Sequence, residues 1–334
     1  MKSPFTGGEV VLVRESRELE YRKERFQVQY HFYKCVDTGD SFTTDELDNI
    51  NIIQVHNRYR EKYRIPFVDE VRHIREQYDL TAVKMSEVLG LGINMYRNYE
   101  SGEMPTLAHG HLLSIAADPV QFEQLFEKRR SGFTDSEYER VKKKLARVKT
   151  NPAFINDLQV QHVFKIVPPC IFNGYRSLVW EKLGNMVRYF AGENTPFITG
   201  MNKYLFFADF LHYKLHGTGI SGLCYRALQR GPVPENYGMI YNYLVNGQYV
   251  AVEEVDFGNY AGERLIPVES AMHDSIQKHF TLSEWSVLQQ VAARLKHLST
   301  KKIVDISHNE KAWLENYKEL KQISFDYGFE LCSF

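Results

Sequence analysis

The sequence is most informative at residues 201–212, which read Met201-Asn202-Lys203-Tyr204-Leu205-Phe206-Phe207-Ala208-Asp209-Phe210-Leu211-His212. Apolar and aromatic side chains continue through this stretch without the residue clusters that mark turns, so they predict one helix over Thr199–His216. We expect Asp209, set among aromatic residues, to cap or pair within the fold. The apolar cluster Tyr204–Leu211 contains this carboxyl and is too short to cross a bilayer.

The remainder of the C-terminal region, 153–334, continues this helical pattern. The spacing of apolar residues predicts four further helices, at Gly174–Tyr189, Glu235–Val245, Leu282–His297 and His308–Lys318. A β-hairpin is predicted where two runs of β-type residues, Tyr249–Phe257 and Glu263–Val268, flank a turn that contains glycine. The fold class is therefore mainly α.

Residues 1–43 form a small β module by the same criteria. Three short runs rich in β-branched and aromatic residues, Val10–Val13, Leu19–Arg25 and Gln27–Cys35, are bounded by glycine turns. So few residues bury little apolar area, and a module of this size needs a metal ion or a docking surface to be stable.

Two turns of this module, Ser3–Gly8 and Cys35–Gly39, have the spacing of a zinc knuckle. Only Cys35 is a thiol, because Ser3, Thr6 and Thr38 occupy the other ligand places. Neutral hydroxyls are poor zinc ligands and one thiolate does not hold the ion alone. We expect a zinc-ribbon-like module that has lost its metal, and no cofactor.

Residues 44–130 are predicted to form five helices. Within them, Leu80–Gly102 reads as two short helices joined by a glycine-containing turn, the helix-turn-helix arrangement. Asn and Arg near the start of the second helix can bond to adenine and guanine. The candidate DNA-binding residues are Lys84, Asn94, Arg97 and Asn98. Because residues 55–102 hold eight basic and seven acidic side chains, a role in dimerisation or packing stays open.

A basic helical linker is predicted over 131–152. The stretch Lys128–Lys149 holds nine Lys or Arg against three Asp or Glu. A solvated linker helix is the ordinary interpretation of such a run, and an arm that contacts phosphates is the alternative.

The whole-chain composition limits the partners and the compartment. The chain has 334 residues, 43% of them hydrophobic and 25% charged, with a net charge of −1, so any contact with nucleic acid must be local. The start has no apolar signal-peptide core, and four cysteines lie far apart (Cys35, Cys170, Cys224 and Cys332). We therefore expect a cytoplasmic protein that does not bind membranes.

Residues 1–127 resemble antitoxins of the MqsA type, in which a small zinc ribbon precedes an Xre-type helix-turn-helix. The residues that carry this resemblance are Tyr33-Lys34-Cys35, Gly39, Leu80-Thr81, Gly90, Gly92, Asn94, Tyr99-Glu100 and Gly102. The resemblance implies that the helical part forms a homodimer and binds operator DNA, and Asn94 matches a family position that contacts DNA. Two positions depart from the family pattern: Asn98 stands where Arg is usual, and Ala82 where many relatives have Gln.

Residues 165–315 resemble the Panacea (SocA-like) domain, a mostly helical antitoxin module. The motifs that carry the resemblance, in chain order, are Met201–His212, Gly217, Gly219-Ile220, Tyr225-Arg226-Ala227, Arg230-Gly231-Pro232-Val233-Pro234 and Ile306–Trp313. The resemblance implies that this domain binds and neutralises a protein toxin encoded by the neighbouring gene.

A catalytic role is the alternative interpretation of the polar residues in this region. Asp209, His212 and His216 share one helix face and could present metal ligands, while His308 and Glu310 could supply a base and its partner. However, histidines in an aromatic helix are usually core groups, and no phosphate-binding glycine loop or H-E-x-x-H motif occurs. We expect no catalytic residues.

The predicted function is that of an antitoxin in a type II toxin–antitoxin system, which binds its toxin directly and represses its own operon. A stand-alone transcription regulator with a C-terminal sensing domain is the alternative. Protein interfaces are rich in aromatic anchors with a polar rim. The candidate toxin-binding residues are Tyr204, Phe207, Tyr225, Tyr237, Tyr241 and Trp313.

Overall fold

The computed structural model describes residues 1–150, 164, 167–258, 261–268 and 273–334. Contacts divide the chain into two compact units: residues 1–55 together with 167–334, and residues 56–166. The four-part division predicted from the sequence, with boundaries after residues 43, 130 and 152, stays a prediction. The unit of residues 56–166, called the helical unit below, is an insertion between the two segments of the other unit.

Helices make up most of the regular secondary structure of both units. In chain order they are α1 Asp45–Tyr63, α2 Val68–Glu76, α3 Ala82–Val88, α4 Met95–Glu100, α5 Leu107–Ala117, α6 Pro119–Glu127, α7 Asp135–Thr150, α8 Trp180–Asn194, α9 Ile198–His216, α10 Tyr237–Asn246, α11 His273–Gln277, α12 Leu282–Leu295, α13 Thr300–His308 and α14 Lys311–Leu314. The strands are β1 Val10–Tyr21, β2 Glu24–Cys35, β3 Ser41–Phe42, β4 Tyr225–Leu228, β5 Gly231–Pro234, β6 Val250–Asp256 and β7 Ala261–Pro267.

The helical unit is held by an aromatic core. Tyr78 stacks on Phe122 with ring centroids 3.7 Å apart, and both side chains are fully buried. Phe126, Leu113 and Tyr96 belong to the same core cluster. Such stacked aromatic pairs add to the stabilisation that comes from burial alone.

The basic stretch before residue 150 is a packed helix and not a solvated linker. Val141 and Leu145 of α7 have no exposed surface and belong to the core of the helical unit. Several of its cations meet acidic side chains: Lys142 lies 2.5 Å from Glu127 and also pairs with Glu123. The α7 helix therefore forms part of the helical unit, and its charge is partly neutralised within that unit.

The N-terminal module is an antiparallel sheet in the order β1-β2-β3. The sequence predicted two short strands where the structure has the single strand β1, because the charged run between them stays paired to β2 along its whole length. The β1–β2 turn consists of Arg22 and Lys23, with φ values of 51° and 69°. Both residues are in the left-handed region, as a two-residue hairpin turn requires.

Side-chain amides from α1 cover the outer edge of β2. Asn51 accepts from the backbone N–H of His31 at 2.8 Å and donates to its carbonyl at 2.9 Å. Gln54 makes the same two bonds with Gln29, both at 2.9 Å. These two amides replace a neighbouring strand where β3 has ended, so the backbone groups of β2 stay satisfied.

The N-terminal module packs on the C-terminal segment of its own unit. The His31 and Phe329 rings lie 4.6 Å apart, edge to face, and Phe329 is buried. Gly217 has a φ of +68°, and a Cβ there would lie 2.5 Å from Cγ2 of Ile53. This contact with the C-terminal segment supplies the docking surface that a β module of this size needs.

The C-terminal segment is built around α9. All residues from Gly200 to Tyr213 are buried, and α9 contacts α8, α12, α13, β5, β7 and the 3₁₀ helix Phe325–Glu330. A helix that is apolar on every side belongs at the centre of a domain. The predicted helix over 199–216 and the predicted hairpin, observed as β6–β7, are both confirmed. Asn259 and Tyr260 of the predicted turn lie outside the described residues.

Other boundaries differ from the prediction where the backbone turns left-handed. Gly174 and Tyr175 have φ values of +64° and +57°, so the helix predicted from residue 174 begins only at Trp180. The predicted helix 308–318 is observed as the short helix α14 followed by the 3₁₀ turn Tyr317–Glu319, because Glu310 is extended at the start of α14. Helix α13, which ends at His308, was not predicted. Asn236 also has a positive φ, and α10 begins after it, at Tyr237 and not at the predicted Glu235. His297 has a positive φ as well, and α12 ends at Leu295, before the predicted end at His297.

Candidate nucleic-acid and protein interfaces

The two short helices α3 and α4 are fixed against each other by buried hydrogen bonds. Thr81 caps α3 through the N–H of Lys84, and the Ser86 hydroxyl accepts from the N–H of Tyr96 at 3.0 Å. The Tyr96 hydroxyl donates to the carbonyl of Val71 at 2.7 Å. Burial of this tyrosine holds its pKa far above the ordinary value, so the hydroxyl keeps its proton at neutral pH.

Three of the four predicted DNA-binding residues lie together on the surface of α4. Asn94, Arg97 and Asn98 are exposed and occupy positions i, i+3 and i+4, which share one helix face. Ile93, just before them, is 69% exposed. Amide and guanidinium groups on one short helix face can form bidentate bonds to base edges.

The prediction for the fourth residue, Lys84, needs correction. Its ammonium donates to the carbonyl of Gly132 at 2.5 Å and pairs with Glu87 at 3.1 Å. It also lies 4.6 Å from the centre of the Phe133 ring. The contacts of Lys84 therefore lie within the helical unit, in contrast to its predicted role at DNA.

The four residues in the zinc-knuckle places do meet. The hydroxyls of Ser3, Thr6 and Thr38 are hydrogen-bonded to Sγ of Cys35, and these bonds lower the pKa of this thiol to about 6. Cys35 is buried, and its Sγ lies 3.5 Å from the Thr6 hydroxyl oxygen. One thiolate with three neutral hydroxyls does not match the donor set of Zn²⁺. In the described part of the chain, no group of three or more His, Cys, Asp or Glu could hold a metal ion.

Asp209, at the centre of α9, accepts four hydrogen bonds. One carboxylate oxygen accepts from the backbone N–H groups of Ile220 and Ser221, at 2.7 and 2.8 Å. The other accepts from the hydroxyls of Ser221 and Tyr225, the latter at 2.6 Å. Burial raises the pKa of Asp209, while the four donors oppose this effect. The carboxyl thereby ties the loop after α9 to the buried helix, as the sequence predicted.

Lys203 is a second buried polar group of α9. Its side chain has no exposed surface, and Nζ donates to the carbonyl of Pro232 at 2.8 Å. Burial lowers the pKa of Lys203 to about 7. A Cβ at Gly231, which has a φ of +93°, would lie 2.7 Å from Cε of Lys203 and 2.5 Å from the Ser307 hydroxyl. The start of β5 thus approaches α9 where only glycine fits.

The residues considered above as candidate metal ligands or as a general base make hydrogen bonds or ring contacts within the C-terminal domain. His212 bonds through Nδ1 to the Thr218 carbonyl at 2.6 Å, and burial lowers its pKa to about 3. Glu310 accepts from the backbone N–H groups of Cys332 and Ser333, both at 3.0 Å. His308 stacks on Trp313 with centroids 3.9 Å apart. Asp209, His212 and Glu310 are therefore engaged in holding the fold.

Four of the six predicted toxin-binding aromatic residues are core residues, which corrects that prediction. Phe207 and Tyr225 have no exposed surface, and Tyr204 and Tyr241 are 2% exposed. The Tyr241 hydroxyl donates to Asn202 at 2.7 Å inside the domain. These side chains pack α9 on its neighbours, so a partner cannot contact them while the domain stays folded.

The remaining two, Tyr237 and Trp313, reach the surface. Tyr237 is 37% exposed at the start of α10, beside Met239 at 43%. Trp313 is partly exposed, donates through Nε1 to the Leu228 carbonyl at 2.8 Å and stacks on Tyr317 at 4.4 Å. Leu314, next to it, is 53% exposed. Rigid, partly exposed aromatic side chains beside apolar neighbours suit protein interfaces.

A cavity of about 640 Å³ lies between the start of α13, the end of α12 and the segment that joins α8 to α9. Arg264, Lys296, His297 and Glu193 contribute charged or polar groups, and Leu295 and Ile303 contribute apolar surface. Its size is that of small-molecule sites. No sequence motif indicated it, because its lining comes from segments far apart in the chain.

The C-terminal segment is thus a mainly α domain organised by one buried helix, with partly exposed aromatic residues at its surface. Residues 201–314 match the family model described as antitoxin SocA-like, Panacea domain. This match supports an antitoxin role in a toxin–antitoxin system. Comparisons with curated proteins and with solved structures gave no match. Among the helices of the described ranges, none is both long and apolar enough to cross a membrane.

Proposed function

We propose that this chain is the antitoxin of a type II toxin–antitoxin system. Its C-terminal domain binds the toxin encoded by the neighbouring gene, and its helix-turn-helix represses the shared operon as a homodimer. The chain acts by binding and not by catalysis. The observation that carries the proposal is the match of residues 201–314 to the SocA-like antitoxin domain.

Two surface features support toxin binding through the C-terminal domain. The partly exposed rings of Tyr237 and Trp313 lie within the matched residues, each beside an exposed apolar side chain. Exposed aromatic and apolar side chains of this kind dominate the energy of protein interfaces. Neither ring is needed to fill the centre of the domain, so each is free to contact a partner.

A different surface supports DNA binding. Asn94, Arg97 and Asn98 share the exposed face of α4 and leave the packing of that helix to Tyr96 and Tyr99. The face carries one cation, so sequence readout here depends on amide and guanidinium bonds to bases more than on phosphate attraction. This arrangement suits repression of one operator.

Co-expression with the adjacent gene tests the toxin-binding part. Cells that express the neighbour should stop growing, and the full chain should restore growth and co-purify with the gene product. Tyr237→Ala and Trp313→Ala should each weaken rescue and co-purification. Phe172→Ala is the matched control, because Phe172 is 36% exposed in the same unit but lies outside residues 201–314. A harmless neighbour, or one that the chain does not bind, would overturn the antitoxin proposal.

A stand-alone regulator with a sensing domain is the second candidate, and the 640 Å³ cavity is the observation that favours it. In that case the chain should bind a selected DNA site, and a small molecule in the cavity should change that affinity. Arg264→Ala should abolish the response to the small molecule without changing DNA binding in its absence. Toxin rescue with no ligand response excludes this candidate.

A further inference from the structure

The two edges of the N-terminal sheet are treated differently by the fold. The edge of β2 is covered by β3 and then by the amides of Asn51 and Gln54. The outer edge of β1 runs for twelve residues, Val10–Tyr21, and no strand of the described ranges pairs with it. Long bare edges of this kind are templates for pairing with another strand.

The hydrogen-bond pattern shows which backbone groups lie on this edge. The Val36 N–H donates to the Glu9 carbonyl at 3.1 Å, whereas the N–H of Cys35 donates away from β1, to the Asp40 carbonyl. Bonded and non-bonded pairs alternate along an antiparallel ladder. The odd-numbered residues of β1 therefore bond to β2, and the even-numbered residues point their N–H and C=O groups to the open edge.

Of the two-fold registers centred between Arg14 and Glu18, which pair β1 along most of its length, only one suits the charges. A two-fold axis makes the two β1 strands antiparallel and sets even residues against even ones. An axis through Arg14, Glu15, Arg17 or Glu18 would oppose that charge with its own copy. An axis through Ser16 opposes a neutral residue to itself, so the register is specified by exclusion of like charges.

With the axis at Ser16, β1 is complementary to itself along most of its length. Glu15 lies opposite Arg17 of the second copy, and Arg14 lies opposite its Glu18. Val13 then faces Leu19, and Val11 faces Tyr21, so apolar residues also meet apolar ones. Charges on an edge strand normally prevent association. Here their order around Ser16 permits one partner, a copy of the same strand.

We propose that β1 pairs edge to edge with β1 of a second copy, with Ser16 on the two-fold axis. The result is one continuous six-stranded antiparallel sheet, in the order β3-β2-β1-β1-β2-β3. Backbone bonds form between the two Ser16 residues, between Arg14 and Glu18, and between Leu12 and Glu20. This interface lies in the unit of residues 1–55 and 167–334 and is independent of the helix-turn-helix.

Charge reversal tests the register in the full-length chain. Glu15→Arg sets two basic side chains against each other, and Arg17→Glu sets two acids together, so each variant alone should dimerise about tenfold or more weakly than the wild type. An equimolar mixture of the two variants should recover the dimer, because both contacts between positions 15 and 17 in the heterodimer then join an arginine to a glutamate. The double variant E15R/R17E should recover it at both sites. Sedimentation velocity over a concentration series measures all four.

A backbone variant separates this edge from any other dimer interface. Ser16→Pro removes an N–H that points to the open edge, so the hairpin should keep its circular dichroism while the dimer is lost. A monomeric wild type would overturn the proposal. Self-association that is unchanged by Ser16→Pro and by both single reversals would overturn it as well, as would a double reversal that associates no more strongly than the single ones. None of these results depends on toxin neutralisation, which the growth assay scores separately.

Discussion

At the scale of single residues, the buried polar groups of α9 explain why its sequence is so distinctive. Asp209 and Lys203 are fully buried, and each satisfies backbone groups: Asp209 accepts from the N–H of Ile220, and Lys203 donates to the carbonyl of Pro232. An unsatisfied buried donor or acceptor costs about 1–3 kcal/mol. These side chains therefore specify how the loop after α9 and the start of β5 lie against the helix.

Asp209→Ala should lower the free energy of unfolding by about 2–4 kcal/mol, because the N–H groups of Ile220 and Ser221 lose their acceptor. Asp209→Asn should cost less, since the amide oxygen can still accept both bonds while the hydroxyls of Ser221 and Tyr225 rotate to accept from its nitrogen. Chemical denaturation at neutral pH measures both. Equal losses in the two variants would contradict this role.

Lys203 should make the stability depend on pH. Burial lowers its pKa to about 7, whereas the unfolded chain holds this proton up to its ordinary value of 10.5. Between these values the unfolded state binds more protons, so the stability contributed by this site rises with pH. Lys203→Met should lack that rise between pH 7 and 10, as denaturation at several pH values would show. Identical profiles for both proteins would contradict the neutral buried amine.

The sequence predicted Asp209 correctly and the aromatic anchors mostly wrongly, for one physical reason. A helix that is buried all round has no polar face, so nothing in its periodicity distinguishes a ring for a partner from a ring for the core. Tyr204 and Phe207 face the domain interior for this reason. Tyr237 is exposed because it begins α10, directly after the left-handed residue Asn236. No sequence motif predicts that exposure.

At the scale of elements, the β1–β2 hairpin is closed by an unfavourable pair of residues. Arg22 and Lys23 are both left-handed, where side chains with a Cβ are strained and Asn-Gly is preferred. The double change Arg22→Asn and Lys23→Gly should raise the stability of the protein by about 1 kcal/mol. Arg25→Asn, on the extended part of β2, is the control and should not stabilise. Thermal unfolding compares the three proteins.

The exposed face of α4 should contribute directly to operator binding. Arg97→Ala should weaken operator binding by about 1–3 kcal/mol and relax specificity at one base. Arg72→Ala removes an exposed cation from α2 of the same unit and should change affinity less. Fluorescence anisotropy with a selected operator measures both. If Arg97→Ala binds as the wild type does, this side chain does not contact bases.

Elements were predictable where the pattern was strong, as for α9 and the β6–β7 hairpin. Their boundaries were not, because several ends lie at left-handed residues other than glycine. Tyr175 and His297 are such residues, and no composition signal marks them. The single strand β1 was divided in the prediction because a charged run resembles a loop, although pairing with β2 continues through it.

At the scale of the whole molecule, sequence order and spatial grouping differ. The sequence suggested modules in succession, whereas the contacts join residues 1–55 to 167–334. Contacts such as His31 with Phe329 link residues almost three hundred positions apart, and single-sequence patterns carry no information on such pairs. The N-terminal module docks on the C-terminal segment of its own unit, which supplies the apolar contact that so small a sheet cannot provide by itself.

Phe329→Ala should therefore loosen the N-terminal module as well as its own surroundings. The truncation removes a buried ring and should cost about 3–5 kcal/mol. Trypsin should then cut faster at the Arg22-Lys23 turn, because the hairpin loses the ring on which His31 packs. Phe172→Ala, at an exposed ring, is the control. Unchanged cleavage in Phe329→Ala would show that the module is stable without this contact.

The separation of His31 from Phe329 also sets an order of events during synthesis. The hairpin leaves the ribosome long before Phe329, which is added almost three hundred residues after His31. At about 5–20 residues per second, the early strands wait between roughly 15 seconds and a minute for their docking surface. The inserted helical unit, with its own core, can fold during that interval. Newly made protein thus completes the unit of residues 1–55 and 167–334 only after Phe329 has been added, and a message cut before the codon for Phe329 yields a chain whose N-terminal module is left undocked.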